Sequence, residues 1–189
     1  MKNPVLLIVV GLPGTGKSYF AERIAEKIDA KILRTDEIRK ELAGIKKGEH
    51  RYEDFGKGLY TEGMTKKTYE EMYKRAREIL MRGDSCILDA TFSKKTQREG
   101  AYEIAKELNV PHIAIECVCP EEIVMNRMKE RSIDEKAISD ATPEIYRRMK
   151  DVFESIGEDE IHITIDTSKN LDENLRLVLR EIKKNSIKI

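Results

Sequence analysis

Short apolar runs alternate with longer amphipathic stretches along this chain. The apolar runs are rich in β-branched residues and predict buried strands over residues 5–10, 31–34, 86–88, 113–118 and 162–165. The stretches between them carry apolar residues at helical spacing and predict helices over 17–28, 36–42, 65–81, 94–108, 120–131, 143–156 and 171–184. Strands that alternate with helices indicate an α/β fold with a parallel sheet covered on both faces.

Composition narrows the class of protein. The chain has 189 residues, which suits one domain, and its 35 Lys and Arg balance 35 Asp and Glu. This balance disfavours a bulk polyanion binder, because non-specific nucleic-acid affinity needs a surplus of positive charge. No targeting segment is recognised and the run at 5–10 is too short to cross a membrane, so a soluble, cytoplasmic protein is expected. Cys86, Cys117 and Cys119 favour buried thiols over a metal or redox pair.

Residues 11–18 match the phosphate-binding pattern G-x-x-x-x-G-K-[ST] and lie between a predicted strand and a predicted helix. Glycines let the backbone turn tightly so that several N–H groups converge on a polyphosphate, and the helix N-terminus adds partial positive charge. Lys17 is expected to reach the β- and γ-phosphates, and Ser18 to offer its hydroxyl to Mg²⁺. The segment therefore predicts a nucleotide site.

Asp89 closes the predicted strand at 86–88, where ligands bind in open α/β sheets. Its position resembles the Walker B aspartate that supports Mg²⁺, and a cap of the following turn is the alternative. The irregular segment 44–61 contains four glycines and is interpreted either as a loop over the site or as a long connection.

Two further segments bear on the reaction. Asp36 follows the second predicted strand and could act on an attacking hydroxyl, with Arg39 on the same helical face; a plain N-cap is the alternative for Asp36. Arg127 and Arg131 are four residues apart and share a helical face, so they suit either a lid that offsets phosphate charge or a solvated helix. No guanine-reading N-K-x-D motif is present, which disfavours a switch GTPase. The remaining charged residues are expected on solvated helix faces.

Four features follow one another along the chain: the loop at 11–18, Asp36 with Arg39, the stretch 89–91, and Arg127 with Arg131. In this order they resemble the P-loop kinases related to polynucleotide kinase, zeta toxin and gluconate kinase. This group is often catalogued as AAA-family ATPases. The resemblance implies a three-layer α/β/α sandwich with sheet order 2-3-1-4-5 and a helical lid over about 120–142, within a single domain over 1–189.

By the same resemblance Asp36 would be the general base, Arg39 would contact the acceptor, and Arg131 would touch the donor. Residues 166–168 would lie near the adenine, and 139–141 recur in the group without an assigned role.

An ATP-dependent kinase that phosphorylates a hydroxyl is therefore expected, with ATP and Mg²⁺ as cofactors. A small metabolite is favoured as the acceptor. A polynucleotide 5′-hydroxyl and a nucleotide-dependent regulatory or toxin-like module are the alternatives, and both a monomer and a homodimer stay open. The predicted catalytic residues are Lys17, Asp36, Arg39, Arg127 and Arg131, and the predicted metal-binding residues are Ser18 and Asp89. The residues predicted to bind the nucleotide are Gly11, Pro13, Gly14, Thr15, Gly16, Lys17, Ser18, Tyr19, Arg127 and Thr167.

Overall fold

A five-stranded sheet forms the centre of the computed structural model, which describes residues 3–45, 60–131 and 142–186. Its strands are β1 (Leu6–Val10), β2 (Ala30–Arg34), β3 (Ser85–Asp89), β4 (His112–Val118) and β5 (His162–Asp166). All neighbours pair in parallel, in the order β2-β3-β1-β4-β5. The predicted fold class and strand order are therefore confirmed.

Helices cover both faces of the sheet. They are α1 (Lys17–Ile28), α2 (Thr35–Leu42), α3 (Glu62–Met81), α4 (Lys95–Glu107), α5 (Glu121–Arg131), α6 (Pro143–Val152) and α7 (Leu171–Ser186). Successive residues of β1 point to opposite faces: Leu6 and Ile8 pack among residues of α3 and α4, whereas Leu7 and Val9 pack among residues of α1 and α7. This two-sided burial explains why the strand is apolar throughout.

A smaller apolar cluster joins α5 and α6 beside the loop that follows β1. Val124 and Met128 of α5 pack with Tyr146 of α6, and Leu12 packs against them. These two helices lie within or next to the predicted lid. Residues 132–141, with the predicted stretch 139–141, lie outside the described residues, as does most of the predicted loop at 44–61.

Two of the helix boundaries that differ from the prediction are the start of α2 and the end of α6. α2 begins at Thr35 with Arg34 as its N-cap, so Asp36 lies in the first turn and is not the cap. α6 ends at Val152 rather than at residue 156. There Phe153 is extended, and the Glu154 N–H donates to the Ser93 carbonyl at 2.8 Å. A tertiary contact thus ends α6.

Within the described ranges, no helix is long and apolar enough to cross a bilayer.

Candidate functional site

The loop between β1 and α1 has the backbone of a phosphate cradle. Gly14 and Gly16 adopt φ angles of 78° and 88°, a region that side chains rarely enter. A Cβ on Gly14 would lie 2.8 Å from Val124 Cγ1 and 2.9 Å from Met128 Cε, so only glycine fits under α5. Gly16 is the N-cap of α1, and within the described residues no side chain caps that helix. The first N–H groups of α1 are therefore suited to bind an anion.

Lys17, Ser18 and Asp89 meet next to this loop. The Lys17 ammonium donates to the Leu12 carbonyl at 2.8 Å, which holds the charge across the loop. The Ser18 hydroxyl lies close enough to the Asp89 carboxylate to stabilise its charged form. Burial raises the pKa of Asp89 above its ordinary value, while Lys17, Ser18 and the nearby Arg34 oppose that rise. A hydroxyl and a carboxylate this close together offer two oxygen ligands, which suit a small hard cation such as Mg²⁺.

Asp36 and Arg39 lie together at the start of α2. Arg39 Nη1 donates to Asp36 Oδ1 at 3.2 Å, as their spacing of three residues allows. The Arg39 side chain is buried and its guanidinium lies 4.9 Å from the centre of the Tyr60 ring, whereas the Asp36 side chain is 40% exposed. This arrangement leaves a carboxylate accessible beside a buried positive charge.

Arg34 also belongs to this region, although it was not among the predicted site residues. Arg34 on β2 is in register with Asp89 on β3, and its Nε lies 3.4 Å from Asp89 Oδ2. The same guanidinium binds Glu22 of α1 at 2.8 Å and Glu37 of α2 at 3.5 Å. Arg34 thereby ties α1, α2 and β3 together around the two carboxylates of the site. A basic residue immediately before the Thr35-Asp36 pair was its only signal in the sequence.

The predicted lid arginines have different outcomes. Arg127 of α5 donates to the Thr167 hydroxyl at 3.0 Å and to the Thr167 carbonyl at 2.9 Å. The Thr167 hydroxyl in turn donates to the Thr15 carbonyl at 2.5 Å. These bonds place Arg127 on the Gly16 side of the loop, with the residues predicted to lie near the adenine. Arg131 is the last residue of α5, and its side chain lies outside the described part of the structure.

One cleft of about 1000 Å³ connects most of the predicted site. It begins at the phosphate-binding loop, passes Asp36, Arg39 and Asp89, and continues between α3, α6 and the loop after β3. The site residues that line it are Pro13, Gly14, Gly16, Lys17, Ser18, Tyr19, Asp36, Arg39 and Asp89. Gly11, Thr15, Arg127 and Thr167 lie outside its lining, Gly11 next to the Cys117 carbonyl of β4.

The loop after β3 is held by a buried arginine of α4, although the charged residues outside the predicted site were expected on solvated helix faces. Arg98 of α4 is fully buried and uses all five of its N–H donors. Two reach Glu160 at 2.7 and 2.9 Å, one reaches the Phe92 carbonyl at 3.0 Å, and two reach the carbonyls of Glu154 and Ser155. Phe92 has a φ of 49°, so Arg98 stabilises an uncommon turn just past Asp89. The expected solvent-exposed position was wrong for Arg98, which is buried. Its partner Glu160 lies 62 residues away in the sequence, so no local pattern indicates the pair.

A protein-family model described as AAA domain matches residues 6–156, which include every element from β1 to α6. The chain belongs to this family. An uncharacterized protein of Mycobacterium tuberculosis (strain ATCC 25618 / H37Rv) is 33% identical over 142 residues, which are 74% of this chain and 28% of the relative. The chain thus spans under a third of the length of the mycobacterial relatives it matches.

Two further comparisons confirm the resemblance to P-loop kinases. The L-seryl-tRNA(Sec) kinase of Methanococcus maripaludis is 27% identical over 180 residues, which are 90% of this chain and 62% of the relative. The structure of Mycobacterium tuberculosis APS kinase CysC in complex with AMPPNP and APS superposes with a TM-score of 0.67 at 14% identity, covering 97% of this chain and 99% of that one. This second likeness shows a shared fold.

Proposed function

We propose that this chain transfers the γ-phosphoryl group of ATP to a hydroxyl of a small metabolite. The observation that carries the proposal is the continuity of the cleft. It leads from the phosphate-binding loop to a second compartment that holds the carboxylate of Asp36 and the guanidinium of Arg39. Hydrolysis of ATP alone needs no such compartment, whereas transfer to an acceptor does.

The donor side would be bound by the phosphate-binding loop and α1. The loop glycines and the uncapped N-terminus of α1 would hold the phosphates, and Lys17 would neutralise the β- and γ-phosphates. Ser18 and Asp89 would hold Mg²⁺, which supplies charge neutralisation on the phosphate oxygens when bound. Arg127 and Thr167 would contact the nucleoside end, and Arg131 would reach the donor phosphates as predicted.

On the acceptor side, Asp36 would orient the attacking hydroxyl and take its proton. The acceptor oxygen forms a bond to the γ-phosphorus while the bond from that phosphorus to the bridging oxygen of ADP breaks, so the products are ADP and a phosphorylated acceptor. Arg39 would offset negative charge beside the acceptor. Positioning and electrostatics then supply most of the catalysis.

Cleft size and charge favour a small acceptor. A volume of about 1000 Å³ is at the upper end for small-molecule sites and suits a nucleotide together with a compact second substrate. The formal net charge of zero does not favour a long polyanion. The likeness to a seryl-tRNA(Sec) kinase supports a second candidate, in which the hydroxyl belongs to a group attached to RNA.

The experiment is a transfer assay with γ-labelled ATP and a panel of sugars, polyols, hydroxy acids, nucleosides and tRNA. We expect label to move to a small hydroxyl compound and free phosphate to stay minor. Label on tRNA alone would support the second candidate. Release of label only as phosphate, with every acceptor, would contradict both.

A further inference from the structure

Tyr69 of α3 lies in the wall of the cleft and is held in one position. Its buried ring packs edge-on against Phe92 with centroids 5.3 Å apart, and it contacts the Tyr73 ring at 5.9 Å. The backbone N–H of Phe92 donates to the Tyr69 hydroxyl oxygen at 3.1 Å. Because Arg98 holds the Phe92 carbonyl, the turn that orients the phenol is itself fixed.

The fold uses only part of the hydrogen-bonding capacity of this hydroxyl group. Its oxygen accepts from Phe92, but the structure gives its own proton no acceptor among the described residues. Burial raises the pKa of Tyr69 to about 12, so the hydroxyl keeps its proton at neutral pH and can donate it while its oxygen accepts from Phe92. Because the Phe92 N–H occupies one side of the Tyr69 oxygen, the hydroxyl proton points away from Phe92. The open space next to Tyr69 is the cleft, so a molecule bound there can accept this proton.

The surroundings of Tyr69 indicate what would accept this proton. Tyr69 lines the same compartment as Asp36 and Arg39, and both charges are close enough to act on its phenol electrostatically. Asp36 and Tyr69 therefore offer one hydrogen-bond acceptor and one donor to whatever binds there. A buried donor without a partner is costly, so a bound molecule that supplies an oxygen to it is favoured.

We propose that Tyr69 binds the acceptor substrate by donating its hydroxyl proton to a second oxygen, beside the hydroxyl that is phosphorylated. This inference rests on the proposed function. Donation to the attacking oxygen itself would withdraw electron density from it and lower its nucleophilicity, so the partner is a neighbouring oxygen. The acceptor class is then a compound with two oxygens close together, such as a diol, a hydroxy acid or a sugar, and not a simple alcohol.

Acceptors that differ by one oxygen test this directly. The probes are propane-1,2-diol with propan-1-ol and glycerol with propane-1,3-diol, each assayed for kcat/KM with ATP; the second member of each pair lacks the oxygen on the carbon next to a terminal hydroxyl. A site built to hydrogen-bond a substrate oxygen rejects the analogue that lacks it, so we expect wild type to prefer the richer member by about tenfold or more. Tyr69→Phe should reduce that preference to about threefold or less, since the hydroxyl is the discriminating group.

Tyr73→Phe is the matched control. Tyr73 lies one turn along α3 and also borders the cleft, but its hydroxyl already donates to the Gln97 carbonyl at 2.5 Å. It should keep the wild-type preference. A merely structural role of Tyr69 would lower the rates with both members of a pair alike and leave their ratio unchanged, and an unchanged ratio in Tyr69→Phe would overturn the inference.

A binding measurement on the wild-type protein separates this inference from the proposed function. Protein labelled at tyrosine Cζ contains seven tyrosines, and the Tyr69 resonance is the one that disappears in Tyr69→Phe. With ADP present, the richer member of a pair should shift that resonance and the deoxy member should not. A shift without phosphate transfer supports the Tyr69 site and contradicts the kinase proposal. Transfer without a selective shift contradicts the Tyr69 site alone, and the absence of both contradicts both.

Discussion

The buried pair of Arg98 and Glu160 gives the sharpest prediction about stability. Their side chains are 0% and 2% exposed, and Glu160 also accepts from the Tyr102 hydroxyl at 2.9 Å and from the Gly157 N–H at 3.1 Å. Burial alone would raise the pKa of Glu160, but Arg98, Gly157 and Tyr102 outweigh it and lower the pKa from 4.5 to about 2. Glu160→Gln removes the charge with little change of shape.

The size of the effect follows from that pKa. A fall from 4.5 to about 2 corresponds to about 3 kcal/mol of stability, and removal of one partner from a buried pair commonly costs about 3–5 kcal/mol. Since the folded pKa is the lower one, the contribution is complete above pH 4.5 and is lost as the pH falls toward 2. The stability gap between wild type and Glu160→Gln should therefore narrow by about 2 kcal/mol between pH 7 and pH 3.

Urea unfolding at several pH values measures this gap, and an exposed pair of the same chemistry is the control. Arg77 Nη2 and Glu107 Oε2 are also 2.7 Å apart, but their side chains are 40% and 57% exposed. Glu107→Gln should cost less than about 1 kcal/mol. If Glu160→Gln costs no more than Glu107→Gln, or if its cost does not change with pH, the reasoning about this buried pair is wrong.

Two predictions concern nucleotide binding. Gly14→Ala introduces a Cβ at a positive φ and 2.8 Å from Val124, so ATP affinity measured by calorimetry should fall at least about tenfold while the folded state persists; unchanged affinity would exclude a tight cradle. Thr167→Val removes the hydroxyl that links Arg127 to the Thr15 carbonyl and should weaken ATP binding about three- to tenfold. Thr164→Val is the control: Thr164 lies on β5, its hydroxyl donates to Glu116, and its loss should leave ATP binding unchanged.

The phosphate-binding loop and the pair of Asp36 and Arg39 could be predicted from sequence because their signals are local. The loop at 11–18 is a contiguous pattern between a strand and a helix, and α1 was predicted with the bounds that the structure has, Lys17–Ile28. Asp36 and Arg39 were predicted to share a helical face, and their ion pair follows from that spacing. The strand order came from the resemblance to P-loop kinases.

The walls of the acceptor compartment could not be predicted, because they depend on contacts between distant segments. Arg98 is an ordinary basic residue in an amphipathic pattern, and nothing near it in sequence indicates Glu160. Phe92 takes a left-handed conformation that its residue type does not suggest. The partly used hydroxyl of Tyr69 becomes visible only when Phe92 is seen to lie against it.

The most direct test of the proposed reaction is the effect of Asp36→Asn on phosphoryl transfer and on ATP affinity, measured in the same preparation. Because Asp36 would act only on the acceptor hydroxyl, we expect transfer to fall by about 10²–10⁴ while the Kd for ATP changes less than about twofold. Glu37→Gln alters the adjacent carboxylate, which pairs with Arg34, and should retain transfer. Transfer that survives in Asp36→Asn at the level of Glu37→Gln would contradict the assignment of this compartment to catalysis.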